Sequence, residues 1–151
     1  MTSDIEQIQS VVTDVEAAMQ TKDVARLLAR YTADVVKFDL APPLSRVGPE
    51  ANDAEALAKW FAGFDGPVYY QVTDLEITAG EDVAFCHSLN RMASTPNGAP
   101  EGFTLWFRMT AGLRKENGTW RITHEHTSTP FHMDGSFLAA TDLTPSSTAT
   151  R

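Results

Sequence analysis

The sequence predicts an α+β fold, in which helices from the first half of the chain cover one face of a mostly antiparallel sheet from the second half. Before residue 65, apolar residues recur at three- and four-residue spacing, which is typical of amphipathic helices. From residue 68 onward the apolar period changes to two, which is typical of strands. Short turns separate these strands, and short connections favour antiparallel neighbours.

Two helices open the chain. The first is predicted over about residues 4–20, where the apolar residues form a single stripe. Asp23 is a suitable N-cap for a second, shorter helix, whose apolar residues run from Val24 to Tyr31. We expect these two helices to pack together as a helical hairpin.

A strand and a third helix follow. The strand is predicted from Val35 to Leu40, and the pair Pro42-Pro43 forces an extended exit from it. Asn52 or Asp53 can cap the third helix, which carries an apolar and aromatic stripe. The residues of that stripe are Leu57, Trp60, Phe61 and Phe64.

The second half of the chain predicts four consecutive strands. The pair Asn117-Gly118 is the strongest hairpin signal, because both residues accept the positive φ of a tight turn. Gly80 and the run Pro96-Asn97-Gly98 mark the other two turns. The predicted strands cover residues 68–78, 82–93, 102–114 and 119–129.

Length and composition favour one folded domain. The chain has 151 residues, of which 42% are hydrophobic, and this suits a single core. We expect the domain to span residues 1–138, because residues 139–151 lack an apolar period and should form a flexible tail. The net charge of −8, without a Lys/Arg cluster, argues against binding to nucleic acid or to an anionic membrane.

Other sequence features concern location and cofactors. Cys86 is the only cysteine, and no signal peptide or 18-residue apolar run is seen, so we expect a cytoplasmic protein without a transmembrane helix. The chain also lacks a Gly-rich phosphate loop and a Ser nucleophile motif. We therefore expect no cofactor.

Two separated motifs resemble the ketosteroid isomerases and SnoaL-like polyketide cyclases of the nuclear-transport-factor-2-like superfamily. The resemblance covers roughly residues 4–133 and implies a cone-shaped fold, with three N-terminal helices packed on a curved sheet. The superfamily includes isomerases, cyclases and dehydratases as well as non-catalytic domains. The motifs are Tyr31-Thr32-Ala33-Asp34 with Phe38-Asp39, and Gly118-Thr119-Trp120 with His124-Glu125-His126-Thr127-Ser128.

Asp39 falls at the position of the general base in the ketosteroid isomerases. A carboxylate at the mouth of an apolar cone suits proton abstraction, because desolvation makes it a stronger base. The alternative is a strand-end aspartate that accepts hydrogen bonds from backbone N–H groups. The positions of the isomerases' electrophilic Tyr and Asp fall near Val15 and Phe107, so another donor must stabilise a developing enolate.

His87 is the predicted donor. The odd-numbered residues of the strand over 82–93, which include His87 and Arg91, share one face. The resemblance favours that face as the interior, because the calmodulin-dependent kinase association domain has an inward-pointing Arg at the place of His87. His87 would then donate to an oxyanion, and Arg91 would hold an acidic ligand. The alternative for His87 is a core histidine whose ring is hydrogen-bonded to backbone carbonyls. The alternative for Arg91 is a salt bridge at the rim of the cavity.

The last strand carries His124, Glu125 and His126. Matching this strand to the isomerases places Glu125 in the cavity as a second carboxylate with Asp39, and both histidines on the back of the sheet. A β-bulge near Thr127 would reverse that assignment locally. Histidines at i and i+2 also point to a metal site, but a third ligand is missing, so an interface role is favoured and no catalytic metal is expected.

Aromatic residues on the third helix and on two strands can line an apolar cavity or fill a plain core. Trp106, Trp120 and Ile122 alternate with the presumed interior, so they should lie on the back of the sheet. Members of the resembled superfamily usually dimerise there, and we expect a homodimer through that face. The predicted ligand-contacting aromatic residues are Trp60, Phe64, Tyr70 and Phe107.

Together these features predict a small cofactor-independent enzyme that acts on a hydrophobic, carbonyl-bearing metabolite by general acid–base catalysis. Isomerase, cyclase and dehydratase reactions all fit this description. Asp39 is the predicted base and His87 the predicted donor. The alternative is a non-catalytic dimeric binding or association domain, in which His87 and Arg91 hold an acidic small molecule.

Overall fold

The structure, a computed structural model, describes residues 2–145. The protein has an α+β fold with a curved, mostly antiparallel sheet, as predicted from the sequence, and the sheet has six strands. The helices are α1 (Asp4–Thr21), α2 (Val24–Leu28) and α3 (Ala54–Phe61), with a 3-10 turn over Gly48–Glu50 before α3. The strands are β1 (Tyr31–Phe38), β2 (Arg46–Val47), β3 (Phe64–Ala79), β4 (Val83–Pro96), β5 (Phe103–Glu116) and β6 (Thr119–Ser128).

The strand order in the sheet is β2-β1-β6-β5-β4-β3. β1 and β6 are parallel, and the other neighbouring strands are antiparallel. β1 and β2 lie between α2 and α3 along the chain, so the three helices do not form one consecutive N-terminal layer. A membrane-spanning helix is absent from residues 2–145.

Side-chain caps set the start of each helix. Ser3, Asp23 and Asp53 precede the three helices, and each accepts a hydrogen bond from the backbone N–H three residues further on. Tyr31, which was expected to be helical, begins β1 instead, because the preceding carbonyl already accepts from a β6 backbone N–H at 2.8 Å. Phe64, expected on the third helix, begins β3.

The core lies between α1 and one face of the sheet, which we call the inner face; the opposite face is the outer face. α1 contributes an apolar stripe at helical spacing, and the strands contribute the side chains that alternate inward. The buried residues of this core include Ile8, Val11, Val15, Ala18, Val35, Val68, Leu113, Trp120 and Ile122.

β4 presents its even-numbered residues to the inner face. Cys86 is in register with Ala111 of β5, and both are buried, whereas the neighbouring His87 is exposed. The prediction that His87 and Arg91 point into the interior is therefore wrong. The small side chains of Ala84 and Cys86 pack in the core on the inner face. Burying an unpaired imidazole or guanidinium in that core would destabilise the fold.

A β-bulge in β6 decides which of its residues face inward. Gly112 of β5 is in register with His124, while Leu113 is in register with Ile122, so Thr123 is an extra residue. Trp120 and Ile122 are consequently buried in the core, and their predicted place on the back of the sheet is wrong. The bulge also brings Glu125 to the inner face and leaves His124 and His126 on the outer face.

The folded part extends past the predicted boundary at residue 138. Ala139 forms a β-bridge with Phe131, and the Ala140 N–H donates to the Pro130 carbonyl at 2.7 Å. Ala140 is only 3% exposed. The end of the predicted flexible tail, residues 146–151, lies outside the described residues.

We expect Cys86 to react slowly with a thiol reagent such as DTNB while the protein is folded. It is 1% exposed, and burial raises the pKa of its thiol to about 11, so little reactive thiolate is present. The matched control is His87→Cys in a Cys86→Ser background, which should react rapidly. Protection of the cysteine at position 87 with rapid labelling of Cys86 would mean that β4 has the opposite facing.

Candidate active site

A cluster of polar side chains lies on the inner face around Glu125. The Glu125 side chain is 9% exposed in this setting, and the Tyr31 hydroxyl donates to Glu125 Oε2 at 2.9 Å. Lys37 is in register with Glu125 on the neighbouring parallel strand, so both side chains lie on the inner face. We call Tyr31, Lys37, Tyr70, Asn90 and Glu125 the inner cluster.

Burial raises the pKa of Glu125 above its usual range. The positive charge of Lys37 and the hydrogen bond from Tyr31 act in the opposite direction, while the negative charge of Asp39 adds to the rise. Burial has the largest effect, so Glu125 holds its proton to a higher pH than an exposed glutamate. A carboxyl of this kind is suited to holding a proton and delivering it to a ligand.

The Tyr70 hydroxyl is held in place by a hydrogen bond that it accepts, but the hydrogen bond that it donates is weak. The Asn90 side-chain amide donates to the Tyr70 oxygen at 3.0 Å, and the Ser88 hydroxyl donates to Asn90 Oδ1 at 2.6 Å. The acceptor for the Tyr70 proton is the Met109 sulfur at 3.9 Å, and a thioether is a weak acceptor. Burial, with the negative charge of Glu125, raises the pKa of Tyr70, which keeps the hydroxyl protonated and able to donate to a ligand.

Asp39 lies at the end of β1, on the side of the inner cluster. Asp39 lies two residues after Lys37, which is in register with Glu125. The negative charge of Asp39 adds to the rise in the pKa values of Tyr31, Tyr70 and Glu125. Arg46 Nη1 lies 3.0 Å from Asp39 Oδ2 and compensates its charge. Within residues 2–145, no hydrogen bond occupies Asp39 Oδ1, and the side chain is 30% exposed. Asp39 thus has one oxygen free to accept a proton.

A groove of about 450 Å³ opens beside Asp39. The loop that follows β1 forms one wall, and His126 borders the groove from β6. Asp39 lines this groove and lies two residues after Lys37 of the inner cluster along the chain. The lining residues are Phe38, Asp39, Leu40, Ala41, Pro42, Pro43, Leu44 and His126.

The predicted aromatic contacts divide between two places. Phe107 is buried, and its ring lies 5.9 Å from the ring of Tyr70, so both belong to the surroundings of the inner cluster. Trp60 packs against Phe64, which packs against Phe103 beside a second groove of about 320 Å³. Trp60 and Phe64 therefore belong to an aromatic cluster with Phe103, which lines the second groove.

His87 and Arg91 are on the outer face, away from the inner cluster. His87 Nε2 lies 3.4 Å from Glu76 Oε2, and the His87 side chain is 54% exposed. Arg91 donates to the Gln71 side chain at 3.2 Å. Neither residue shares a face with Asp39 or Glu125, so the predicted pairing of Asp39 with His87 is not formed.

Sequence reasoning missed the roles of Tyr31, Lys37, Arg46 and Asn90. In β1 the signal was the alternation that places Lys37 and Asp39 on one face of the strand. In β4 the signal was an asparagine, Asn90, in a set of otherwise small residues, and the structure shows that it is buried. No group of three or more His, Cys, Asp or Glu side chains in residues 2–145 is arranged to hold a metal ion.

Comparison with known families confirms the resemblance seen in the motifs. The model of the SnoaL-like domain matches residues 8–132. The chain belongs to the SnoaL-like family. A comparison of this SnoaL-like protein with curated sequences gives no match.

Solved structures of the same fold include proteins with and without a described activity. An NTF2-like protein of unknown function from Pseudomonas putida KT2440 is 28% identical, with a TM-score of 0.78 over 92% of this chain and 94% of that one. A putative scytalone dehydratase from Novosphingobium aromaticivorans is 15% identical, with a TM-score of 0.74 over 85% of each chain. A ketosteroid isomerase-like protein from Erwinia carotovora atroseptica is 21% identical, with a TM-score of 0.69 over 85% of this chain and 97% of that one.

We expect Glu125→Gln to become more stable relative to the wild type as the pH rises from about 4 to 8. The raised folded-state pKa of Glu125 means that its stabilising contribution is complete below the unfolded-state pKa and is lost as the pH rises through the folded-state value. Glutamine keeps an acceptor for Tyr31 and does not titrate, so it avoids that loss. Each unit of pKa difference corresponds to about 1.4 kcal/mol.

Thermal or urea unfolding across this pH range measures the difference. The same substitution at exposed Glu55 controls for the loss of one surface charge. Loss of stability by Glu125→Gln relative to the wild type as the pH rises would contradict the assignment of Glu125 as a buried carboxyl with a raised pKa.

Proposed function

We propose that this SnoaL-like protein is a cofactor-independent enzyme that moves a proton on a hydrophobic, carbonyl-bearing metabolite, as isomerases, cyclases and dehydratases do. The observation that carries the proposal is that Asp39, which has a free oxygen, lies two residues beyond Lys37, the residue in register with the buried Glu125. Burial raises the pKa of Glu125. Two carboxyls with such different surroundings can divide the roles of base and acid.

In this mechanism Asp39 is the base. Oδ1 takes a proton from the carbon next to the substrate carbonyl. The electron pair of the C–H bond forms a carbon–carbon double bond, and the π pair of the carbonyl moves onto its oxygen. The Tyr70 hydroxyl donates to the developing oxyanion, and Asn90 holds that hydroxyl in place. Glu125 supplies the proton that completes the shift, and exchange with solvent then removes the proton from Asp39 and restores the one on Glu125. Tyr70 takes the role of oxyanion donor that the sequence assigned to His87.

The test is proton exchange at carbon, followed by NMR in D₂O with 4-phenyl-2-butanone as a simple hydrophobic ketone. We expect the wild type to exchange the protons next to the carbonyl faster than buffer alone. Asp39→Asn should reduce the enzymatic rate by about 10²- to 10⁴-fold, because it removes the base. His87→Ala should leave the rate unchanged, because His87 lies on the outer face.

The other outcomes distinguish the competing interpretations. Binding of the ketone without faster exchange would favour a non-catalytic binding domain. Exchange that is lost in His87→Ala but kept in Asp39→Asn would overturn the assignment of the base.

We also propose a homodimer through the outer face of the sheet. Its support is the exposure of Tyr69 and Phe85 on that face, with Trp106 in register beside Arg91. Exposed apolar side chains on one sheet face are a frequent mark of an interface.

Light scattering at micromolar concentration should give twice the 16.5 kDa mass of one chain. Phe85→Glu should shift the mass toward one chain, because it places a charge in the contact. Leu44→Glu, at an exposed loop position, is the matched control and should leave the mass unchanged. A wild-type mass of one chain would contradict the dimer.

A further inference from the structure

Lys37 places a positive charge in the inner cluster without a direct ion pair. Its Nζ lies 3.8 Å from the centre of the Tyr31 ring, and no carboxylate within residues 2–145 is at ion-pair distance from it. An aromatic face attracts an ammonium group but leaves its charge uncancelled. The N–H groups of Lys37 are therefore free to bind a further acceptor.

The other charges near Lys37 are compensated or weakened. Asp39 forms an ion pair with Arg46, which compensates part of its negative charge. Glu125, in register with Lys37 across the parallel strands, is driven toward its neutral form by burial. Lys37 is a positive charge of the inner cluster with no ion-pair partner among residues 2–145, and this gives the site a preference for an anion.

We propose that Lys37 binds an anionic group of the substrate, and that the substrate is a hydrophobic carbonyl compound carrying a carboxylate. A half-buried ammonium gains a charge-assisted hydrogen bond from such a group. This inference rests on the proposed function, because it names the substrate class of the same site.

The spacing along β1 also limits the substrate. Lys37 and Asp39 are two residues apart on one face, which corresponds to roughly 6–7 Å along an extended strand. A carboxylate held at Lys37 would therefore place carbons a few bonds away next to Asp39 Oδ1. Keto acids and other carbonyl acids of this length fit the requirement.

The test compares two unreactive ligands that differ in charge, 3-phenylpropanoate and 3-phenylpropanamide, by calorimetry or NMR titration. We expect the wild type to bind the carboxylate at least about tenfold more tightly than the amide. Lys37→Met should remove this preference while leaving amide binding within about twofold. Lys37→Arg should keep the preference, because it keeps the charge.

Lys59→Met is the matched control, since Lys59 is exposed on α3, and it should change neither affinity. Equal binding of the two ligands by the wild type, no carboxylate binding at millimolar concentration, or equal weakening of both ligands in Lys37→Met would each overturn the assignment. Because neither ligand reacts, the result is independent of the exchange assay. Anion selectivity with no proton exchange would keep Lys37 as a binding residue and reject the enzyme.

Discussion

The β-bulge at Thr123 is the constraint on which both the core and the candidate site depend. Trp120 and Glu125 are five positions apart, so in a regular strand they would face opposite sides of the sheet. The extra residue brings both to the inner face, where Trp120 is 2% exposed and its indole N–H donates to Asp4 at 2.9 Å. One local irregularity therefore supplies a large core side chain and a buried carboxyl from the same strand.

Burial then gives the two carboxyls different chemistry. Glu125 is surrounded by the inner face, with Tyr31 as its hydrogen-bond donor, whereas Asp39 lies at the strand end in contact with Arg46. A buried polar group destabilises a fold unless it is hydrogen-bonded, and here Asn90 and Glu125 both have partners. Such a satisfied but electrostatically unusual cluster is typical of functional sites.

The sequence predicted the class of the fold because apolar period and turn residues are local signals. Asp23, Asp53 and Asn117-Gly118 indicated caps and a hairpin that the structure contains. The facing of β4 could not be predicted in this way, because Val83, Phe85 and Leu89 form the more apolar set and yet lie on the outer face. The small residues Ala84 and Cys86 of the other set belong to the core that α1 also forms.

The site was predicted only in part for a related reason. Asp39 and Glu125 were identified from the motifs. The structure buries Glu125 on the inner face, and Asp39 lies two residues after Lys37, which is in register with Glu125. Lys37 and Asn90 were missed, because their importance comes from contacts across neighbouring strands. The position of the bulge depends equally on pairing between β5 and β6, which a single strand does not encode.

Carboxyl ¹³C NMR of the Glu125 side chain, titrated in the wild type and in Asp39→Asn, tests most directly whether the two carboxyls share one site. Burial should hold the wild-type pKa of Glu125 above the usual range for glutamate. Neutralising Asp39 should lower it, because a nearby negative charge that favours the protonated form is removed. An ordinary pKa for Glu125 that does not change in Asp39→Asn would contradict the shared site.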